Sequence, residues 1–360
     1  MSATVRRAVV IGALSYRFLT GAVAADAQER VRLEGSALLY GDNTEFRAFR
    51  DGATLFGAAI RLFGAVELNE HVTVRLGAAG NHRFGAEEDF EFISPLVALV
   101  VRRGASTFVF GTLDTTDLRA PAGPDRGGPH ALLPPLQRET LSYDRPYEAG
   151  LQWRFDSPRA KHEAWINWQQ VNTPAHRERF DAGISADWRA SRRIALLFQG
   201  HVVHHGGQLF QSGAVSDSYA LAPGVALRGS HGRLAHVAVE AFAVASRFVP
   251  DRAVPDRSRS GLGVFARAEA STANWRGHAI VWRGNDYLKE EGDANYLNLR
   301  MDGRRYRGVR DYSEAGLARW FRPAKGLTVE VSARFYRIEP HNYEYSYRVL
   351  ALTSVGWLIR

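Results

Sequence analysis

The stretch RERFDAGISADWRAS, residues 177–191, decides the fold. Glu178, Phe180, Ala182, Ile184, Ala186 and Trp188 fall on one parity; Arg177, Arg179, Asp181, Gly183, Ser185, Asp187 and Arg189 fall on the other. Strict alternation of this kind is the signature of a strand with two unlike faces. A soluble sheet would turn the apolar face to a core and the charged face to bulk water. The reverse arrangement, lipid outside and charge inside, is equally consistent with this stretch alone.

The rest of the chain separates the two. The same period-two pattern recurs from residue 31 to the end, cleanly in YEAGLQWRFD (147–156) and GLTVEVSARFYRI (326–338). Breaks at Gly, Pro, Asn, Asp and Ser clusters divide it into about sixteen strands, with 14–18 as the range. Several exceed ten residues, longer than most strands of soluble proteins. The connections alternate in length. Tight links such as Asn69-Glu70, Ala190-Ser191 and Ser230-His231 alternate with long ones at 41–52, 114–145, 205–216, 247–258 and 285–307. A meander with all its tight turns at one end explains this order directly, and transmembrane barrels have short periplasmic turns and long extracellular loops. A spanning sheet must close so that every backbone group is paired. The expected fold is therefore all-β: one closed antiparallel up-and-down transmembrane β-barrel covering 28–360.

The N-terminus suits that destination. Arg6 and Arg7 precede an apolar run, AVVIGALSY, and small residues follow. This reads as a signal peptide over 1–27, cleaved after Ala24 or Ala27. No stretch approaches the ~18–20 apolar residues of a membrane helix. The mean hydropathy of −0.25 is no obstacle, because inward positions of a wide barrel are polar.

The net charge of +8 is made almost wholly of arginine, with lysine only at positions 161, 289 and 325. The arginines are interleaved with carboxylates rather than gathered in a patch, so nucleic acid is not an expected partner. Cysteine is absent, which excludes disulfides and thiolate metal sites.

Together the signal-like start, the strand count and the long segment between the fifth and sixth strands resemble the Gram-negative outer-membrane porins. The resemblance is architectural and rests on no motif. The chain departs from it at the C-terminus, SVGWLIR, which lacks the terminal aromatic residue common in outer-membrane barrels. The resemblance implies the bacterial outer membrane as location, lipid as surroundings, a homotrimer, and a third long loop folded into the lumen. Here that loop is 114–145.

The expected function is a channel for passive diffusion of small hydrophilic solutes, anions preferred because arginine is in excess. The pore-lining candidates are Arg75, Glu148, Arg154, Arg177, Arg179, Asp181, Asp187, Arg189, Arg193, Glu330 and Arg334. Asp114, Asp117, Arg119, Asp125, Arg126, Arg138 and Glu139 would form a constriction on the long loop. Alternatives are a channel for an acidic polysaccharide and a structural or adhesive barrel with a plugged lumen. His201, His204 and His205 invite a metal reading, but no carboxylate lies near them in the sequence, so no metal and no cofactor are expected. G-x-S-x-G, H-E-x-x-H and P-loop motifs are absent, and no outward strand face carries a Ser/His set. Catalytic residues, and enzyme activity, are not expected.

Overall fold

A computed structural model describes residues 31–44, 53–87, 90–115, 129–207, 209–300, 303–338 and 343–359. The signal segment, and Asp117, Arg119, Asp125 and Arg126 of the long loop, lie outside them.

Sixteen strands form one closed antiparallel barrel in which each strand pairs with its sequence neighbours and β1 closes on β16. In order they are β1 Val31–Thr44, β2 Ala53–Glu67, β3 Val72–Arg83, β4 Phe92–Arg103, β5 Ser106–Thr112, β6 Ala149–Asp156, β7 Ala160–Gln170 and β8 Glu178–Arg189. The second half comprises β9 Ile194–Gly206, β10 Ser216–His231, β11 Leu234–Val249, β12 Arg259–Ser271, β13 Trp275–Asn285, β14 Val309–Ala324, β15 Leu327–Ile338 and β16 Tyr343–Ile359. Among the described residues no helix is long and apolar enough to cross a membrane.

Outward positions carry the apolar parity. Ile184 and Trp188 on β8, Leu221, Val225 and Leu227 on β10, and Tyr345, Tyr347, Val349 and Trp357 on β16 are exposed large side chains. In water this surface would drive association; in a bilayer it is the surface that faces acyl chains.

The inward parity divides in two. Glu330, Arg348 and Asp181 are polar and buried in pairs, as alternation alone implies. Trp165, Phe242, Phe265, Ile280, Trp282, Tyr312 and Tyr336 also point inward, from β7 and from β11 to β15. They are buried because two of the long loops fold down onto them. Leu132, Leu133 and Leu136 come from the 114–145 loop; Tyr287, Tyr296 and Leu297 come from the loop after β13. The loops also bind each other: Tyr287 Oη donates to Pro135 O (3.0 Å), Asp293 N to Pro134 O (2.9 Å) and Arg138 N to Glu291 O (2.7 Å). The wall on this side is therefore not the solvated surface expected of a wide lumen. Aromatic side chains on an inward face need apolar partners, and here the loops supply them.

Candidate functional site

The wall is uneven in height. β5 has 7 residues and β6 has 8, between β4 with 12 and β7 with 11. The β4–β5 ladder ends at Ala98↔Gly111, and the β6–β7 ladder ends at Gly150↔Asn167. Above these pairs, on the side away from the tight turns, Phe92–Val97 of β4 have β3 on one flank and no strand on the other. An open edge at membrane depth leaves backbone groups unpaired, which hydrocarbon does not tolerate. Three positions on this edge are accounted for. Val97 N donates to Thr112 Oγ1 (3.2 Å). Two residues on, the same edge position is Pro95, which has no N–H. The Pro95 carbonyl accepts the Tyr147 hydroxyl (3.1 Å). The gap is a notch two strands wide.

A cavity of about 200 Å³ occupies the notch. Phe92, Tyr147, Trp168 and Leu141 give it apolar walls; Arg145, Glu148, Asn167 and Gln169 give it polar ones. Leu141 begins a short helix, α1 (Leu141–Asp144), that leads the long loop back to β6. Trp168 is 44% exposed on the outer face of the wall, so the cavity reaches that face.

Behind Glu148 lies a buried charge cluster. His130 Nε2 is 2.8 Å from Glu148 Oε2 and its Nδ1 is 2.6 Å from Glu163 Oε1. A ring with a carboxylate on each nitrogen must donate from both, so His130 is an imidazolium. Its ring stacks on Trp165 at 3.8 Å. Burial alone would lower the pKa of His130, but the two carboxylates outweigh it and raise it to about 9. Burial pushes Glu148 up from the usual carboxylate range, against the pull of His130. His130 and Ala131 both take positive φ, 61° and 54°, rare for residues with a Cβ. Strain of this kind persists where surrounding contacts hold it, commonly at functional sites.

A second cluster lies next to the first. Asp181 and His201 point inward from β8 and β9, and Glu291 reaches them from the loop after β13. Arg145 and Gln169, which line the notch cavity, both donate to Glu291 Oε1 (2.6 and 3.0 Å). Buried Lys289 stands on the same loop, its ammonium donating to Glu290 O (2.7 Å).

Other residues singled out from sequence are also drawn into pairs, several joining wall to loop. Arg75 binds Asp114 (2.9 Å), and Arg334 binds Glu139 (3.1 Å). Glu330 takes Arg348 (3.2 Å) and the Trp320 indole (2.8 Å). Arg154 donates to Glu163 (3.2 Å), Arg179 to Glu290 (3.0 Å) and Arg228 to Asp187. The Arg138 backbone ties the two loops together. Arg189 ends β8 near the tight turn, and Arg193 stands in that turn. Arg177 precedes β8 and bonds Gly207 O and Gly213 O, each at 3.4 Å. Arg177 and Arg193 therefore lie just beyond the strands, because β8 starts one residue later and the turn is longer than the alternation suggested.

Sequence reading missed His130, Glu163 and Glu291. It also held that the histidines lack carboxylates, whereas His201 meets Asp181 and Glu291, and His204 meets Asp217 (2.8 Å). These partners are close only through strand register and loop descent.

The family model for lipid A 3'-O-deacylase-type proteins matches residues 23–359. The chain belongs to that family. The family is named for an enzyme activity, and this overturns the expectation of a non-enzyme. Among the described residues no local set on one outward strand carries chemistry; the titratable groups converge inward from several strands and two loops. A search of curated proteins finds no sequence match.

Among solved structures, the lipid A 3'-O-deacylase-type chain is similar to OmpT of Vibrio cholerae. A form lacking loop L8 has a TM-score of 0.56 at 9% identity, with 91% of this chain and 100% of that chain covered. The trimer form gives 0.55 at 10% identity, covering 92% and 100%. OpdK of Pseudomonas aeruginosa gives 0.52 at 11% identity, covering 91% and 99%. At such identities the likeness speaks for the fold. That fold is the closed antiparallel β-barrel of Gram-negative outer-membrane proteins.

Proposed function

We propose that this protein is an acyl-ester hydrolase that removes a fatty acyl chain from a lipid A-type glycolipid of the outer leaflet. The observation that carries this reading is the cavity in the β4–β7 notch, which meets the bilayer at Trp168 and the buried cluster at Glu148. The family membership supports the reaction class. An acyl chain suits the aromatic wall, and the ester suits the polar one.

Ester hydrolysis needs a base for water and donors for the oxyanion. Glu148 takes a proton as the water oxygen attacks the ester carbonyl carbon. Arg145 faces the same cavity, and two of its five N–H donors go to Gln169 and Glu291. Its guanidinium is the group suited to the developing oxyanion. The C–O bond then breaks, the sugar oxygen recovers the proton from Glu148, and a free fatty acid leaves. His130 acts through Glu148, holding the carboxylate in place.

The test is purified, folded protein incubated with lipid A in mixed micelles and read by mass spectrometry. The expected product has lost one acyl chain and gained a hydroxyl. Unchanged lipid A with folded wild-type protein would overturn the reading.

A second reading is a channel for small, anionic solutes, favoured by the inward arginines Arg75, Arg154 and Arg228 below the loops. The chain would then give stable conductance steps in planar bilayers. A homotrimer, as in the Vibrio cholerae OmpT form, fits either reading.

A further inference from the structure

We propose that Asp181, His201 and Glu291 form a binding site for one divalent transition-metal ion of the Zn²⁺ type, set in the barrel interior behind the notch cavity. One ligand atom from each of the three lies within 4.8 Å of the others. His201 Nε2 is 3.3 Å from Asp181 Oδ2 and 4.0 Å from Glu291 Oε2. Ligand atoms on a tetrahedral ion at ~2.0–2.1 Å stand ~3.3–3.4 Å apart, so the His201–Asp181 pair already has ligand spacing and Glu291 closes on His201 by about 0.6–0.7 Å when an ion binds.

Each carboxylate divides its oxygens between two jobs. Asp181 Oδ1 accepts from Asn167 Nδ2 and Gln169 Nε2, both at 2.7 Å, which leaves Oδ2 turned to the histidine and, at 3.4 Å, the Trp165 indole. Glu291 Oε1 accepts from Arg145, Gln169 and Arg179 at 2.6, 3.0 and 3.2 Å. Glu291 Oε2 is buried with no hydrogen-bond partner, on a residue only 9% exposed. A bare carboxylate oxygen in an interior costs a few kcal/mol, so its retention toward His201 points to a ligand. Amide and guanidinium donors on the non-ligating oxygens are the outer partners that metal-binding carboxylates use.

The ligand chemistry selects the ion. Imidazole with two carboxylates suits Zn²⁺ better than Ca²⁺, which takes six to eight oxygens. Three protein ligands leave a position for water, and Gln169 and Arg145, which line the cavity, bond Glu291 directly.

The competing occupant is the Lys289 ammonium, which is buried on the same loop as Glu291. The experiment therefore uses full-length protein in detergent, stripped with chelator, in four forms: wild type, His201→Asn, Glu291→Gln and Lys289→Met. Heat-modifiable migration on gels establishes that each barrel is folded. Zn²⁺ titration against a chromophoric competitor should show one ion per wild-type chain with micromolar or tighter affinity. Co²⁺ should give the visible absorption of a four-coordinate site. His201→Asn and Glu291→Gln should each weaken binding at least 100-fold. Absence of stoichiometric binding to wild type overturns the site, as does equal binding by the ligand variants. Binding that appears only in Lys289→Met also overturns it, since the lysine would then be the resident cation. None of these readouts depends on hydrolysis.

Discussion

Strands β10 and β11 and strands β5 and β6 obey the same alternation, yet they build opposite kinds of wall. β10 and β11 have 16 residues each and pair almost throughout. Their inward Ala220, Ala222, Phe242 and Val244 are sealed under the loops. β5 and β6 stop at 7 and 8 residues, and the space above them is a cavity bounded by side chains. One side of the barrel is closed by strand length and apolar packing, the other opened by short strands and a proline.

The comparison can be broken most severely at Glu148. Glu148→Gln should lower the acyl-hydrolysis rate 10²–10⁴-fold, the usual worth of a positioned general base. Its melting temperature should fall too, because the buried His130 imidazolium loses the charge of one of its two carboxylates, so rates are compared per folded barrel. An equally severe loss of folded protein would mean that Glu148 is a structural ion-pair partner and nothing more.

Truncation on the closed side should do the reverse. Trp282 is 2% exposed, packs on Tyr287 and Tyr296, and donates to Tyr296 O at 3.0 Å. Trp282→Ala should cost about 3–5 kcal/mol, as large aromatic deletions do. The readout is a lower temperature of heat modification and loosening of the two loops, measured by protease sensitivity.

The pH dependence belongs to the notch side. His130 titrates at about 9 in the folded protein, above its ordinary 6.5. Its contribution is therefore complete below about pH 6.5 and falls away as pH rises through about 9, a loss of up to roughly 3 kcal/mol. Melting followed from pH 6 to 10 should show this fall in wild type and not in His130→Gln. A flat wild-type profile would contradict an imidazolium between Glu148 and Glu163.

The smallest effect is expected at the notch edge. Thr112→Val removes the acceptor of the Val97 N–H and should cost about 1 kcal/mol. A change in hydrolysis larger than that in stability would show that the edge also shapes the cavity.

How much was legible beforehand follows from the range over which each signal acts. Phe180, Ile184 and Trp188 betray their face through neighbours two residues away, so strand boundaries, parity and tight turns could be read within a few residues. The shortness of β5 and β6 emerges only from the strand ladders, because where a strand stops depends on what stands beside it. Glu291 carried no signal at all: it is one acidic residue in a loop, given meaning by Arg145, Asp181 and His201 from distant segments.

The sequence by itself determined the barrel, its strand number and the orientation of its faces, because period-two alternation and turn chemistry are local and backbone pairing in lipid admits only closure. Tertiary structure alone decided that two loops descend to cover the inward aromatics. It also decided that His130 lies between Glu148 and Glu163, and that Asp181, His201 and Glu291 meet. Those contacts arise from burial and register across the closed sheet, and no local pattern encodes which distant groups a folded loop will bring together.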